Sequence, residues 1–321
     1  MMLAINRFVA MFLGLVMAVN MRSCFFRPVS GASSGHFDAY ETVASVKDRS
    51  NCCSMQGMAV DFSCLYTVKI NRSNNKAFIS KTSTKTGDTI PLMDPTTGSI
   101  YLHGLGHAND MDVTTLKGKS TLFIATMNSG SHSLVRMEAD GTHIKKTGSY
   151  TLEFKGDRVH VSGVAITEKT DSSLTFLFKR GETFYTGSLH PDATTGTISL
   201  TKAFRLNTSS VKVNGRTMDL SNYLHQGFCY HENRIFVPLT TPRSKKNISI
   251  IAVYNVADTT GRITPCPKLS FCITSRAFGG LFEIESCGIS PDGKLYFNTN
   301  RRKTDTDTNH DGIHYFKGYT F

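Results

Sequence analysis

The chain has 321 residues, no tryptophan, 40% hydrophobic residues and a formal net charge of +11. That length suits one large all-β unit, and the absence of long Ala/Glu/Lys/Leu segments argues against a helix bundle. The positive excess favours an anionic partner, but the basic residues are scattered; no zinc-finger spacing, RNP string or phosphate-cradling Gly-rich loop accompanies them, which argues against nucleic acid.

The chain opens with Arg7 followed by an apolar run from Phe8 to Val19. This is the length of a signal-peptide core and short of a membrane span. Residues 1–32 therefore read as a leader, with small residues from Ser30 to Ala32 near its end, and residues 33–321 as one exported domain. Eight cysteines follow no zinc-binding spacing. In an exported chain their even number permits disulfides, with Cys266 and Cys272 as a local candidate pair.

Five segments share one form: a short polar element, a small residue, an alternating apolar stretch, a turn and an apolar-aromatic strand. They begin at Ser54, His107, His160, Leu224 and Glu283. Aligned, they place Gln56, Asn109, Ser162, Gln226 and Glu285 at one equivalent position. The residues that follow are Gly57, Asp110, Gly163, Gly227 and Ser286. The spacings are 53, 53, 64 and 59 residues, each the size of a four-stranded propeller blade.

Within the first unit the strands are QGMAV, LYTVKI, NKAFISKTS and, after the KTGD turn, TIPL. Alternation turns Tyr66, Val68 and Ile70 one way and Thr67 and Lys69 the other. The last unit reaches only its third strand, GIHYFKGYTF, while Ala39–Ser45 lies before the first unit. That N-terminal segment is expected to complete the last blade, leaving no exposed edge. The expected fold is all-β, a five-bladed propeller closed by its N-terminal strand.

Three groups of residues are candidates for chemistry. Gln56, Asn109, Asp110, Ser162, Gln226 and Glu285 fall around the central channel, where a polar ring would hold water, a cation or a sugar, or would satisfy itself. Asp110 and Glu285, on different blades, are the best carboxylate pair for glycan hydrolysis. His103, His107, His132 and His160 lie near Asp110 and Asp112. On a strand the two aspartates face one side and Asn109 and Met111 the other, which argues against convergence on one ion. Near the end, Asp307, Asn309, Asp311 and Gly312 have the spacing of a calcium loop, making calcium the one candidate cofactor. Gly318 stands where the terminal bidentate Glu would be, and a solvated hairpin tip is the competing reading. No hydrolase, metalloprotease or nucleotide-binding motif occurs.

The string QGMAVDFSCLYTVKINRSNNKAFISKTSTKTGDT, then LGHANDMDVTTLKGKSTLFIATMNSGSHSLVRM and FEIESCGISPDGKLYFNTN, resembles the helveticin J family of large, heat-labile bacteriocins of Gram-positive bacteria. The resemblance covers about residues 54–321. It implies a secreted antibacterial protein that binds an envelope component of target cells (wall glycan, teichoic acid or membrane surface), with an immunity protein as a further partner. Eight cysteines exceed what the family leads one to expect. The alternatives are a lectin-like carbohydrate-binding propeller and a glycan hydrolase.

Overall fold

The computed structural model describes residues 40–127, 133–241, 248–256, 262–275, 277–304 and 306–319. The leader, Cys24 and His132 lie outside the described residues. Among the described residues there is no helix.

Strand β1 (Tyr40–Ser45) precedes the first blade, which is built from β2 (Cys52–Val60), β3 (Cys64–Asn71), β4 (Ala77–Ser83) and β5 (Thr89–Pro91) in sequential antiparallel order. The second contains β6 (Asp110–Leu116), β7 (Lys119–Ala125), β8 (Leu134–Asp140) and β9 (His143–Phe154), extended at its edge by β10 (Asp157–Arg158). The third contains β11 (Gly163–Lys169), β12 (Leu174–Arg180), β13 (Thr183–Leu189) and β15 (Thr201–Arg205); between the last two, β14 (Thr195–Ser199) runs parallel to β9 of the second blade. A small hairpin, β16 (Val211–Val213) and β17 (Arg216–Met218), leads on.

In the fourth blade the innermost strand is broken into β18 (Leu224–His225) and β19 (Cys229–His231), both paired with β20 (Arg234–Thr240). Beyond it lie β21 (Ile248–Val256) and an outer edge split into β22 (Ile263–Pro265) and β23 (Phe271–Thr274). The fifth has β24 (Leu281–Ile289), β25 (Leu295–Arg302) and β26 (Gly312–Phe316), and its outer strand is β1. The protein is a five-bladed β-propeller whose ring is closed by the N-terminal strand, as the leftover segments predict.

Five apolar cores lie between successive blades. The second strand of each blade faces two of them, which is why its sequence is nearly continuous in apolar residues. In β7, Leu122 and Ile124 join the core against the first blade, while Phe123 and Ala125 join the core against the third. In β3 the faces alternate as expected, with Tyr66, Val68 and Ile70 joining the core against the second blade. Thr67 and Lys69 are fully buried, because their side meets the closing seam rather than water. Lys69 Nζ donates to Val46 O at 2.9 Å, pairs with Asp311 Oδ2 at 3.0 Å, and pairs with Asp48. One buried cation thus ties the first blade to the fifth and to the linker after β1.

The seam also contains His314, fully buried on β26. Its Nδ1 lies 3.0 Å from Thr42 Oγ1 of β1, and its Nε2 lies 2.9 Å from Thr299 Oγ1 of β25. Burial first, and then the nearby Arg301 charge, hold the imidazole well below its ordinary pKa, so it bridges the two hydroxyls as a neutral ring.

Cys266 and Cys272, the local candidate pair, are free thiols. Cys266 packs into the core between the fourth and fifth blades, whereas Cys272 packs into the core between the third and fourth. The two flank opposite faces of one sheet, and six residues of sequence separation do not bring their sulfurs together.

Candidate site at the propeller axis

Each innermost strand pairs along one edge with its own blade, leaving the other edge to face the axis. Unpaired amides there need acceptors. Asp110 supplies them: its Oδ2 accepts from Val164 N at 3.2 Å and from Phe228 N at 3.1 Å, and its Oδ1 accepts from Ser286 Oγ at 2.6 Å. The first blade contributes contact instead. A Cβ on Gly57 would stand 2.8 Å from the Asp110 carbonyl carbon, and one on Gly227 would stand 2.5 Å from Asp110 Oδ1. The small residues at four equivalent positions and the acid at the fifth are therefore one feature. Four blades stand back from the axis and the second fills it.

Burial pushes Asp110 up to about 8, the Ser286 hydroxyl and the two amides partly offsetting this, while the nearby Lys179 ammonium is pulled down by its own burial to about 8. Asp112, two residues on, repeats the arrangement one step along the axis. Its Oδ2 accepts from Ile166 N at 2.7 Å, and burial raises it to about 6. Both aspartates thus face the third blade, as alternation predicts.

Asp110 divides the axis. Toward the strand starts, the mouth of the axis, lie the mostly buried polar ring residues; toward the strand ends lies a cavity of about 60 Å³ lined by Met58, Met111, Asp112, Ala165, Cys229 and Cys287, among others.

The ring positions surround the mouth side. In the first and fifth blades they sit where the strand register shifts, between Met55 and Met58 and between Ile284 and Ser286; in the fourth, Gln226 sits in the break between β18 and β19. Such irregularities re-aim a side chain away from the ladder. Asn109 Nδ2 donates to Ser162 O at 2.7 Å, Ser162 Oγ to Lys179 O at 3.3 Å, and Gln226 Nε2 to Glu283 Oε1 at 2.7 Å. Ring neighbours are also joined through two residues the sequence reading missed. Asn298 accepts from Ser286 N at 2.8 Å and donates to Gln56 O, while Asn300 accepts from Met55 N at 2.7 Å and donates to Glu285 Oε1. The signal was present in NTN on β25, since asparagine is depleted in strands.

Glu285 is buried and held well above the ordinary carboxylate range, first by desolvation and then by the adjacent Glu283, with which it shares a side-chain hydrogen bond. Three other buried atoms of the strand starts, Gln56 Oε1, His160 Nδ1 and His225 Nδ1, have no hydrogen-bond partner among the described residues. His225 is pushed down to about 4 by burial and by Lys179.

The two acids of the candidate hydrolytic pair, Asp110 and Glu285, are each engaged by other groups. Asp110 is saturated by protein donors with Gly227 against it. Glu285 pairs instead with Glu283 in direct hydrogen-bond contact, closer than the roughly 5 Å or more that a retaining or inverting carboxyl pair needs.

Asp307, Asn309 and Asp311 do not converge on one ion. Asp307 accepts from Lys303 N at 2.9 Å and Asn309 N at 3.2 Å and contacts His310 Nδ1 at 2.5 Å. Asp311 is committed to Lys69 and to Arg301 N, which donates at 2.9 Å. Among the described residues no group of three or more His, Cys, Asp or Glu is arranged to hold a metal. His103 is engaged elsewhere, its Nδ1 lying 2.8 Å from Asn75 O.

No family model and no curated protein matches the sequence. Among solved structures the chain is similar to an α-L-arabinofuranosidase from Podospora anserina in complex with cellotriose, at 6% identity and a TM-score of 0.47, covering 89% of this chain and 98% of that one. It is also similar to a family-43 endo-arabinanase from Bacillus licheniformis (11% identity, TM-score 0.44, covering 83% and 94%). A third is the calcium-binding protein regucalcin from Agrobacterium tumefaciens (10%, 0.40, 88% and 94%). Identities and scores this low give no argument about activity.

Proposed function

We propose that the protein is a non-catalytic carbohydrate-binding propeller whose site is the mouth above Asp110. One observation carries this reading: buried polar atoms without protein partners, Gln56 Oε1, His160 Nδ1 and His225 Nδ1, share the strand-start end of the axis with the half-buried Gln226 and Glu283. Buried polar groups are nearly always satisfied, and amide, imidazole and carboxyl groups are the set that recognises sugar hydroxyls. Glu283 and Glu285 make the mouth unsuited to phosphate, so a neutral wall glycan fits it better than teichoic acid. The test is glycan-array screening followed by titration calorimetry. Gln226→Ala is expected to weaken binding about tenfold, the worth of one well-placed hydrogen bond or slightly more, with unchanged melting temperature. A protein that binds no glycan on the array would sink the proposal.

A second reading keeps that binding and adds killing of the bound bacterium. It is supported by the sequence resemblance over about residues 54–321 and by the net positive charge. It requires inhibition of at least one Gram-positive strain by the purified protein.

A further inference from the structure

Seven cysteines lie among the described residues, all of them free thiols. Two differ from the rest. Cys229 opens β19 and Cys287 lies on β24, the innermost strands of adjacent blades, and their sulfurs are 3.5 Å apart. Both line the axial cavity on the far side of Asp110 from the mouth. Among the described residues neither thiol has a strong competing partner: Cys287 Sγ has in addition a 3.5 Å contact to Phe236 O, a weak bond for a thiol donor. A disulfide needs sulfurs at about 2.05 Å, so the pair must close by about 1.5 Å, a movement within reach of small side-chain rotations.

We propose that Cys229 and Cys287 are an oxidation site that closes to a disulfide between the fourth and fifth blades, with hydrogen peroxide as the oxidant. A cavity of about 60 Å³ admits a few water-sized molecules. Peroxide fits that space and a glutathione-sized disulfide does not. One sulfur attacks the peroxide, breaking the O–O bond and releasing water, and becomes a sulfenic acid. The second sulfur then displaces the hydroxyl as a second water. The sum is two thiols and one peroxide giving one disulfide and two waters, the sulfurs losing two electrons and the peroxide oxygens gaining them. Burial holds the Cys229 thiol well above its ordinary pKa, so the reaction is slow at neutral pH and quickens as pH rises. The bond would join strands 58 residues apart in sequence, and cross-links over long loops restrict the unfolded chain most. Adjacent Cys52 and Cys53 and the separated Cys266 and Cys272 have no such geometry.

The test treats the reduced full-length protein with peroxide, alkylates remaining thiols and maps peptides without reduction. The expected result is a peptide containing Cys229 linked to one containing Cys287, at a mass lower by two hydrogens, together with a rise in melting temperature that dithiothreitol reverses. In Cys229→Ser the link is absent and Cys287 is trapped as its sulfenic acid by dimedone added as the peroxide-treated protein is unfolded. Recovery of both residues alkylated, oxidation of either to sulfinic acid without a link, or linkage to another cysteine instead each overturns the proposal. The mapping of the unsubstituted protein decides the matter even if the variant does not fold.

Discussion

Asp110 shows how one side chain organises five repeats. Its two oxygens take hydrogen bonds from the third, fourth and fifth blades, and the first blade's Gly57 lies against its backbone. Replacing it by alanine leaves two axial amides and the Ser286 hydroxyl without their acceptor, and the buried Lys179 without its neighbouring acid. Losing one partner of such a buried network costs about 3–5 kcal/mol. Asp110→Ala is therefore expected to be strongly destabilised in urea unfolding, and Asp110→Asn less so, because one amide oxygen still accepts. Equal stability of Asp110→Ala and the parent protein would show that the axial bonds contribute nothing. The sequence alignment singled out Asp110 as the one acid among small residues, but not its purpose. Which strand edge faces the axis depends on the arrangement of all five blades, and no local pattern encodes that.

At the scale of elements, the closing seam is held by polar groups in apolar surroundings. His314 is neutral in the fold, with its pKa depressed well below 6.5, whereas in the unfolded chain it protonates near 6.5. Below that pH the unfolded state binds the extra proton. The stabilisation is thus present above about 6.5 and is lost as pH falls, at about 1.4 kcal/mol per unit from this one group. Asp112, raised to about 6, and Asp110, raised to about 8, act in the opposite sense, since the folded state holds their protons at pH values where the unfolded chain has lost them. The difference between parent and His314→Gln isolates the histidine. From pH 7 to pH 5 the parent's melting temperature is expected to drop relative to that of the variant; parallel curves would remove His314 from the account. The strands of the seam were legible, because GIHYFKGYTF lacked a fourth strand and Ala39–Ser45 lacked a partner. The buried Lys69 was not: period-2 alternation assigns faces but does not say that both faces of a propeller's second strand are covered. The same limit produced the Cys266–Cys272 expectation, since nearness in sequence says nothing about opposite sides of a sheet.

For the whole molecule, the question is whether charge or the axial mouth governs binding. Burial leaves the formal excess of +11 nearly intact, because the buried cations Lys69, Lys179, Arg136 and Arg301 are almost matched by the buried acids Asp110, Glu285 and Asp311. Lys69 is paired with Asp48 and Asp311, and Arg136 with Glu138. What remains outside is scattered among exposed ion pairs such as Lys117 with Asp192 and Lys294 with Asp292. Attraction to an anionic envelope would be carried by these exposed charges, which salt screens over about 8 Å at physiological ionic strength and about 3 Å at 1 M. Recognition of a neutral glycan by Gln226, Glu283 and the Nδ1 atoms of His160 and His225 contains no net charge pairing and is nearly indifferent to salt. Retention on purified wall glycan, stripped of teichoic acid, is accordingly expected to persist at 1 M salt and to be lost in Gln226→Ala. Retention on intact anionic cells in excess of that is expected to decline with salt and to ignore the substitution. Complete elution from stripped glycan at 1 M salt would assign the binding to surface charge and remove the mouth from it.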